Sequence, residues 1–285
     1  MDYQIYFPHL GIYFEHVIKS FSIGGFSIAV YGVTMAMALL CGLLVTNLRA
    51  KETKQNSDHY FDLFICFILF GFLGARLYYV ACTWSYYREH LNQILNFRGG
   101  GIAIYGGLIA GIIVVLFFSR RKKMPVPVIL DTVVMGVCAG QIIGRWGNFF
   151  NREAFGGYTD GLLAMQLPVS AVRSSEITQT MLDHIVTING VDFIQVHPTF
   201  LYEGLWNLVL LLLLFLFRNK TAFHGEIFCR YLIGYGLGRF WIESLRTDQL
   251  WIPGTQIPIS MAVSAAAVTG ALIAVIIGRR KAAKT

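Results

Sequence analysis

Long apolar stretches, separated by short polar ones, run through almost the whole sequence. Seven of them are long enough, and poor enough in charge, for a helix to cross a bilayer. They cover residues 28–48, 60–81, 102–118, 126–148, 199–217, 226–243 and 257–277. The pattern predicts an all-α polytopic membrane protein with about seven transmembrane helices, in which residues 1–285 form a single membrane domain.

The polar stretch between the fourth and fifth runs, residues 155–197, is long enough to form a small subdomain. It contains HIVTINGVDFIQV, in which two β-branched runs flank the pair Asn189-Gly190. An Asn-Gly pair between two such runs is typical of a two-residue hairpin turn. We therefore predict a small extracytoplasmic α/β head or lid that contains a β-hairpin.

The basic residues predict the direction in which the chain crosses the membrane. Most of the 23 lysines and arginines fall in the loops after the first, third and fifth runs and in the C-terminal tail. Loops that are rich in lysine and arginine usually stay in the cytoplasm. The N-terminus is therefore predicted to lie outside and the C-terminus in the cytoplasm.

Composition excludes several classes of function. The chain is 55% hydrophobic and 14% charged, and its formal net charge is +7. The positive charges occur in short clusters between apolar runs, so they suit anionic membrane lipid and not nucleic acid. The five cysteines are scattered singly without Cys/His ligand spacing, so the sequence predicts no metal site and no cofactor.

With the predicted orientation, the polar side chains within the apolar runs gather in the outer halves of those runs. They are Tyr31, Arg76, Tyr105, Arg145, Asn148, Tyr202, Glu203, Arg239 and Glu243, with His197 just before the fifth run. Ionisable residues at membrane depth usually face a cavity or one another. We interpret the set as a cavity just below the outer surface, open sideways to lipid. The alternatives are an interfacial anchor for Arg145 and a simple ion pair between Arg239 and Glu243.

Arginines at the depth of lipid headgroups suit a phosphodiester, because the guanidinium fork matches two phosphate oxygens. Tyr235, Arg239 and Glu243 recur at every fourth position and so share one face of the sixth helix. The sequence contains no GxSxG, Ser/His/Asp or HExxH motif, so a nucleophile would have to come from a substrate. A lipid or anion transporter or scramblase that uses the same basic cavity is the alternative, although the inner halves of the runs are poor in the polar residues it would need.

Residues 144–156, GRWGNFFNREAFG, combine arginines, carboxamides, a carboxylate and glycines at the end of the fourth run. This segment resembles the signature of the bacterial prolipoprotein diacylglyceryl transferase family. Further similarity lies in AVYGV, in HPTFLYE and in the pattern GRFxxExxR. The matching residues are Arg145, Asn148, Glu153 and Gly156 in the signature, Tyr31 in the first helix, His197, Tyr202 and Glu203 before and in the fifth, and Arg239, Glu243 and Arg246 in and after the sixth.

The resemblance implies a transferase of the bacterial cell membrane. It implies transfer of the sn-1,2-diacylglyceryl group of phosphatidylglycerol to the cysteine thiol in the lipobox of a prolipoprotein signal peptide, with formation of a thioether and release of glycerol phosphate. We assign catalysis to Arg145, Arg239, Tyr105 and Glu243. The substrate-binding set is Tyr31, Arg76, Asn148, Asn151, Glu153, Gly156, His197, Tyr202, Glu203, Tyr235 and Arg246.

One position departs from the family pattern. Many members have a histidine followed by GGLI, whereas this chain has Tyr105 in AIYGGLIAG. A tyrosine with an ordinary pKa of about 10 is a poor base at neutral pH. Either a carboxylate or a phosphate oxygen takes the proton of the thiol, or Tyr105 only orients the headgroup. We expect the orienting role.

Overall fold

The computed structural model describes residues 2–97 and 100–284. Nine α-helices lie within these residues: α1 (Val30–Glu52), α2 (Ser57–Cys82), α3 (Trp84–Tyr87), α4 (Ile104–Lys122), α5 (Val126–Asn151), α6 (Gln179–Leu182), α7 (Thr199–Phe217), α8 (Glu226–Glu243) and α9 (Ile259–Ala282). The same residues contain seven strands: β1 (Asp2–Phe7), β2 (Ile12–Ile18), β3 (Ser20–Ile23), β4 (Phe26–Ala29), β5 (Met165–Pro168), β6 (Val186–Ile188) and β7 (Val191–Val196).

Six of these helices, α1, α2, α4, α5, α7 and α9, are long and apolar enough to cross a membrane. Their exposed faces carry large apolar side chains such as Leu40, Phe117 and Leu216, which are 63%, 68% and 71% exposed. A surface of this kind suits lipid and not water. The chain is therefore a multi-pass membrane protein.

The seventh predicted span is the helix α8, whose bounds, Glu226–Glu243, agree with the sequence prediction. It contains Glu226, Arg230, Arg239 and Glu243, so composition alone does not qualify it as a membrane span. The count of seven spans therefore stays a prediction. Whether α8 crosses the membrane depends on whether these four charges are neutralised by partners within the protein.

The chain divides into two compact units. One contains the residues up to Gly42 and those from Val134 onward, and the other is Leu43–Val133. In the second unit α2 and α4 pack closely, because Gly74 and Gly106 have no side chains to hold the helices apart. A Cβ on Gly106 would collide with the backbone oxygen of Gly74.

In the first unit α7 packs on α8 through Trp206. Its indole lies over Gly238 and donates a hydrogen bond to the backbone oxygen of Gly234 at 2.8 Å. These two glycines of α8 therefore serve helix packing, which is the ordinary role of small residues in membrane helices.

Five strands of the first unit form an antiparallel sheet in the order β2-β1-β5-β7-β6. The predicted hairpin is confirmed, since β6 pairs with β7 across Asn189 and Gly190. Both turn residues have positive φ values, 51° and 79°, as a type I′ turn requires. The sequence analysis missed β1 and β2, which extend the predicted head at residues 155–197 by two strands.

One face of the sheet packs on the ends of two helices. Its buried core includes Ile5, Leu167 and Ile194 from the strands, together with Phe149 of α5 and Phe200 of α7. The end of α5 and the start of α7 are therefore fixed on a common support. Both carry residues that the sequence analysis assigned to the functional site.

Candidate active site

The signature segment ends α5 and then reverses direction. Arg152 and Ala154 have φ values of 54° and 57°, which is the left-handed region that side chains other than glycine rarely adopt. Asn148 and Asn151 both donate hydrogen bonds to Oε1 of Glu153, at 3.2 and 3.3 Å. The Glu153 carboxylate thus holds the two predicted carboxamides together.

The side chain of Arg152 stabilises this turn. It is 2% exposed, and its guanidinium donates to the backbone oxygens of Val17 and Phe150 and lies 4.9 Å from the centre of the Tyr3 ring. These contacts bind the turn to the N-terminal strands. Arg152 therefore supports the shape of the segment.

Gly156 is the point at which three segments of the chain meet. Its N–H donates to the backbone oxygen of His197 at 2.9 Å, and it forms an isolated bridge with Arg246. The N–H of Gly157 donates to the backbone oxygen of Leu245 at 2.9 Å. A Cβ on Gly156 would lie 2.8 Å from both the His197 Cβ and the Leu245 oxygen, so glycine is needed for this approach.

The central group of the site is the carboxylate of Glu203, near the start of α7. Its side chain is 4% exposed and binds two guanidiniums, one at each oxygen. Nη2 of Arg145 lies 2.5 Å from Oε2, and Nη1 of Arg239 lies 2.6 Å from Oε1. One buried carboxylate therefore holds an arginine of α5 beside an arginine of α8.

The ion network continues past Arg239. Its Nη2 lies 2.5 Å from Oε2 of Glu243, one helical turn further along α8. Arg246 approaches both carboxylates more distantly, at 3.7 Å from Glu203 and 3.9 Å from Glu243. The ion pair between Arg239 and Glu243 considered in the sequence analysis does form, but it is one part of a larger network.

Asp248 completes the network, and the sequence analysis missed it. Its two oxygens accept hydrogen bonds from Nε and Nη2 of Arg246, at 2.8 and 2.6 Å. Burial acts to raise the pKa of Asp248, but the hydrogen bonds and charge of Arg246 outweigh it, so the pKa lies below its usual value. The one signal for Asp248 in the sequence was its position, two residues after Arg246, an arginine already assigned to substrate binding.

The network is formally neutral. It contains three guanidiniums, those of Arg145, Arg239 and Arg246, and three carboxylates, those of Glu203, Glu243 and Asp248. Neutrality lowers the cost of burying the charges. A guanidinium has five N–H groups, so each arginine can hold a carboxylate and still donate to another anion.

Aromatic side chains and a histidine surround the network. The hydroxyl of Tyr202 lies 3.2 Å from Nδ1 of His197, and burial lowers the pKa of His197, so the imidazole is neutral at pH 7. The Tyr31 ring packs against Gly147, where a Cβ would lie 2.8 Å from it. Tyr31 is also within electrostatic range of Arg145 and Glu153.

Tyr235 lies one helical turn before Arg239 on α8. Its ring stacks on that of Tyr231 with centroids 5.4 Å apart, and Tyr231 donates a hydrogen bond to Gln141. A second residue that the sequence analysis missed, Arg173, lies 3.4 Å from Glu153 and 3.1 Å from Glu176. It joins the signature turn to the segment that follows β5.

Two predicted site residues, Arg76 and Tyr105, belong to the other compact unit. Arg76 is 2% exposed, and it donates to backbone oxygens of Gln93, Ile94, Gly100 and Gly101 at 2.5–2.8 Å. These four bonds leave one of its five N–H groups. Tyr105 is half-buried in the first turn of α4.

The chain is similar to known proteins over most of its length. Residues 19–277 match the family described as prolipoprotein diacylglyceryl transferase. A protein of Lactobacillus acidophilus is 41% identical over 249 residues, which is 86% of this chain and 84% of the relative. One of Clostridioides difficile is 38% identical over 257 residues, covering 90% of this chain and 92% of the relative. Both relatives are named phosphatidylglycerol–prolipoprotein diacylglyceryl transferase.

Proposed function

Because the chain belongs to the prolipoprotein diacylglyceryl transferase family, we propose that it transfers the sn-1,2-diacylglyceryl group of phosphatidylglycerol to the lipobox cysteine thiol of prolipoproteins. The observation that carries the proposal is the pair of guanidiniums held on the two oxygens of Glu203. Arg145 and Arg239 come from different helices, and a shared carboxylate sets their spacing. Such a pair suits the oxygens of a lipid phosphate.

In the proposed reaction the cysteine sulfur attacks the glycerol carbon of the diacylglyceryl group that carries the phosphate ester. The new C–S bond forms as the C–O bond to the phosphate breaks, and the electron pair of that bond stays on the departing phosphate oxygen. The thiol proton passes to a carboxylate or to an oxygen of the phosphate, since the thiolate is the nucleophile. The products are a thioether and glycerol phosphate.

The role of the arginines follows from the change of charge on the phosphate. A phosphodiester carries one negative charge, and the phosphate monoester that leaves carries about −1.5 to −2 at pH 7. Guanidiniums in a fixed position therefore bind the developing product more strongly than the substrate, which lowers the barrier. Glu203 and Glu243 hold Arg239 from two sides, so its guanidinium cannot turn away as the charge grows.

The remaining predicted residues would bind the headgroup and the peptide. Asn148 and Asn151, which Glu153 holds together, and Tyr31 beside Arg145 can donate to the glycerol hydroxyls of phosphatidylglycerol. Tyr105 contributes one orienting hydrogen bond and is not the base. Arg76 holds the backbone that precedes α4 in shape, since its donors already bind that backbone, and its guanidinium does not itself bind the phosphate.

A transfer assay tests the function. The purified protein is incubated with phosphatidylglycerol, labelled in its acyl chains, and a synthetic lipobox peptide. The expected product is the peptide bearing a diacylglyceryl thioether, with equimolar glycerol phosphate. A peptide with Ser in place of the lipobox cysteine should stay unmodified. A folded protein that moves lipid between leaflets but forms no thioether would instead support the transporter or scramblase.

The proposal also includes an orientation, with the N-terminus outside and the C-terminus in the cytoplasm. Ser174 and Asn189 are exposed, as is Lys51 at the end of α1. In a background without the native cysteines, Ser174→Cys or Asn189→Cys should react with a membrane-impermeant thiol reagent in intact cells, and Lys51→Cys should react only after lysis. The reverse labelling pattern would overturn the orientation.

A further inference from the structure

A cavity lies at the ends of α7 and α8 that are opposite the Glu203 network. It has a volume of about 480 Å³, within the range of about 300–1,000 Å³ found for ligand pockets. Most of its wall is apolar, and its remaining lining residues are cations. The apolar residues are Leu210, Leu213, Leu214, Phe217 and Ile233, with Gly234, and the cations are Lys220, Arg230 and Arg279.

Two of the cations, Arg230 and Arg279, are held in place by one carboxylate, that of Glu226, which is fully buried. Its Oε1 accepts hydrogen bonds from Arg230 Nη2 at 2.7 Å and from Arg279 Nε at 2.9 Å. Its Oε2 accepts one from the backbone N–H of Ala222 at 2.7 Å. The carboxylate thus fixes an arginine of α8 and an arginine of α9 at the mouth of the cavity.

Glu226 neutralises only part of the positive charge. Among the described residues, the cavity lining contains three cations and no carboxylate, so the mouth keeps an excess of two positive charges after Glu226 is counted. In the network around Glu203, by contrast, the charges of the guanidiniums and carboxylates cancel. An ion pair that served only to join α8 and α9 would not need Lys220, which is exposed beside the cavity.

We propose that this cavity binds an anionic glycerophospholipid from the leaflet on the side of the C-terminal basic residues. One acyl chain lies against Leu213, Phe217 and Ile233, and the phosphate lies between Lys220 and Arg279. The charge excess selects an anionic headgroup over a zwitterionic one, and the apolar wall selects a lipid over free phosphate. The site is separate from the proposed reaction and does not depend on it.

Photocrosslinking of the full-length protein in lipid nanodiscs tests the proposal. The probe is phosphatidylglycerol with a diazirine in one acyl chain, compared with phosphatidylcholine carrying the same chains, and the crosslinked peptides are identified by mass spectrometry. Phosphatidylglycerol should label residues 210–217 and 230–234 at least several-fold more than phosphatidylcholine does. Equal labelling by the two lipids, or no labelling of these residues, would overturn the proposal.

Variants locate the headgroup. Lys220→Gln and Arg279→Gln should each lower labelling by phosphatidylglycerol several-fold, because each removes one charge at the mouth. Arg280→Gln removes the same charge from the next residue of α9, which does not line the cavity, and should leave labelling unchanged.

Equal labelling in Lys220→Gln and the wild type would contradict the site. Lys220 is exposed, so that variant is not expected to unfold the protein. Transfer activity is measured separately and reports on the proposed reaction.

Discussion

Arg76 and Arg239 are both largely buried arginines on helices that the sequence predicts to cross the membrane, and their guanidiniums are satisfied in two different ways. Arg76 donates to four backbone oxygens of the chain before α4. Arg239 binds the carboxylates of Glu203 and Glu243, and Glu203 also binds Arg145. The first arrangement holds a loop in shape, and the second holds a group of side chains around a common point.

The difference decides which arginine can bind a ligand. Backbone oxygens use all but one of the N–H groups of Arg76, and a phosphate could replace them only by disrupting the loop. Carboxylates orient Arg239 and Arg145 and leave further N–H groups available. An arginine in a membrane helix is therefore not in itself evidence for a ligand site, and its partners have to be known.

The largest effect is expected from Arg239→Ala. It leaves Glu203 and Glu243 without their shared cation, and loss of one partner from a buried ion pair costs about 3–5 kcal/mol. Transfer should fall below detection, and the unfolding midpoint in detergent should fall clearly. The double variant Arg239→Gln with Glu243→Gln should recover part of the stability but no activity. Recovery of activity would separate Arg239 from the reaction.

Arg76→Lys should reduce stability and leave substrate affinity nearly unchanged. Lysine keeps the charge but cannot reach all four oxygens, and hydrogen bonds to charged groups contribute about 1.5–3 kcal/mol each. We expect a loss of about 3 kcal/mol and a KM for phosphatidylglycerol within about threefold of the wild type. Arg88→Lys, at an exposed position nearby in the sequence, is the matched control. A large rise in KM with unchanged stability would make Arg76 a direct ligand of the lipid.

Tyr105→Phe tests the position at which this chain departs from many family members. If the hydroxyl orients the headgroup by one hydrogen bond, its loss should cost about 1–3 kcal/mol, or roughly 5- to 150-fold in rate. The pH profile should then follow the substrate thiol, with a pKa of about 8.5. A folded variant that binds phosphatidylglycerol normally but shows no measurable transfer would contradict the orienting role.

The smallest effect concerns the dependence of stability on pH through His197. Burial lowers its folded-state pKa below the unfolded value of about 6.5, so the folded state resists protonation. The contribution of His197 is thus fully present above about pH 6.5 and is lost as pH falls through the folded pKa. The stability difference between the wild type and His197→Gln, measured by thermal unfolding, should shrink from pH 7.5 to pH 5.5. A constant difference would contradict the half-buried, neutral imidazole.

The helices were predictable because length and apolar composition determine them. The helix α8 has the bounds of the sixth predicted run despite its four charges, and the turn at Asn189 and Gly190 follows from local backbone preferences. The strands β1 and β2 form a local antiparallel hairpin, but residues 8–11 between them, PHLG, lack the Asn-Gly pair that indicated the other hairpin. Their place in the five-stranded sheet depends on the long-range pairing of β1 with β5, where Tyr6 lies opposite Gln166. No local pattern encodes such a pairing.

The candidate site was predictable as a set of residues but not as a network of contacts. Motifs indicated Arg145, Glu203 and Arg239, but not that one carboxylate holds both arginines. Asp248 and Arg173 were missed because they lie in loops, outside any helical periodicity. Arg76 was grouped with the arginines proposed to bind phosphate because depth in a membrane helix does not reveal whether the partners are carboxylates or backbone oxygens.

The most direct test of the phosphate clamp is the affinity of Arg145→Lys for two lipids that differ only in the headgroup. Phosphatidylglycerol contains the phosphate, and diacylglycerol with the same acyl chains does not. Lysine keeps the charge but loses the fork. We predict a Kd for phosphatidylglycerol that is roughly 10- to 100-fold weaker than in the wild type, about 1.5–3 kcal/mol, with an unchanged Kd for diacylglycerol. An unchanged Kd for phosphatidylglycerol, or an equal loss for both lipids, would contradict the assignment of Arg145 to the phosphate.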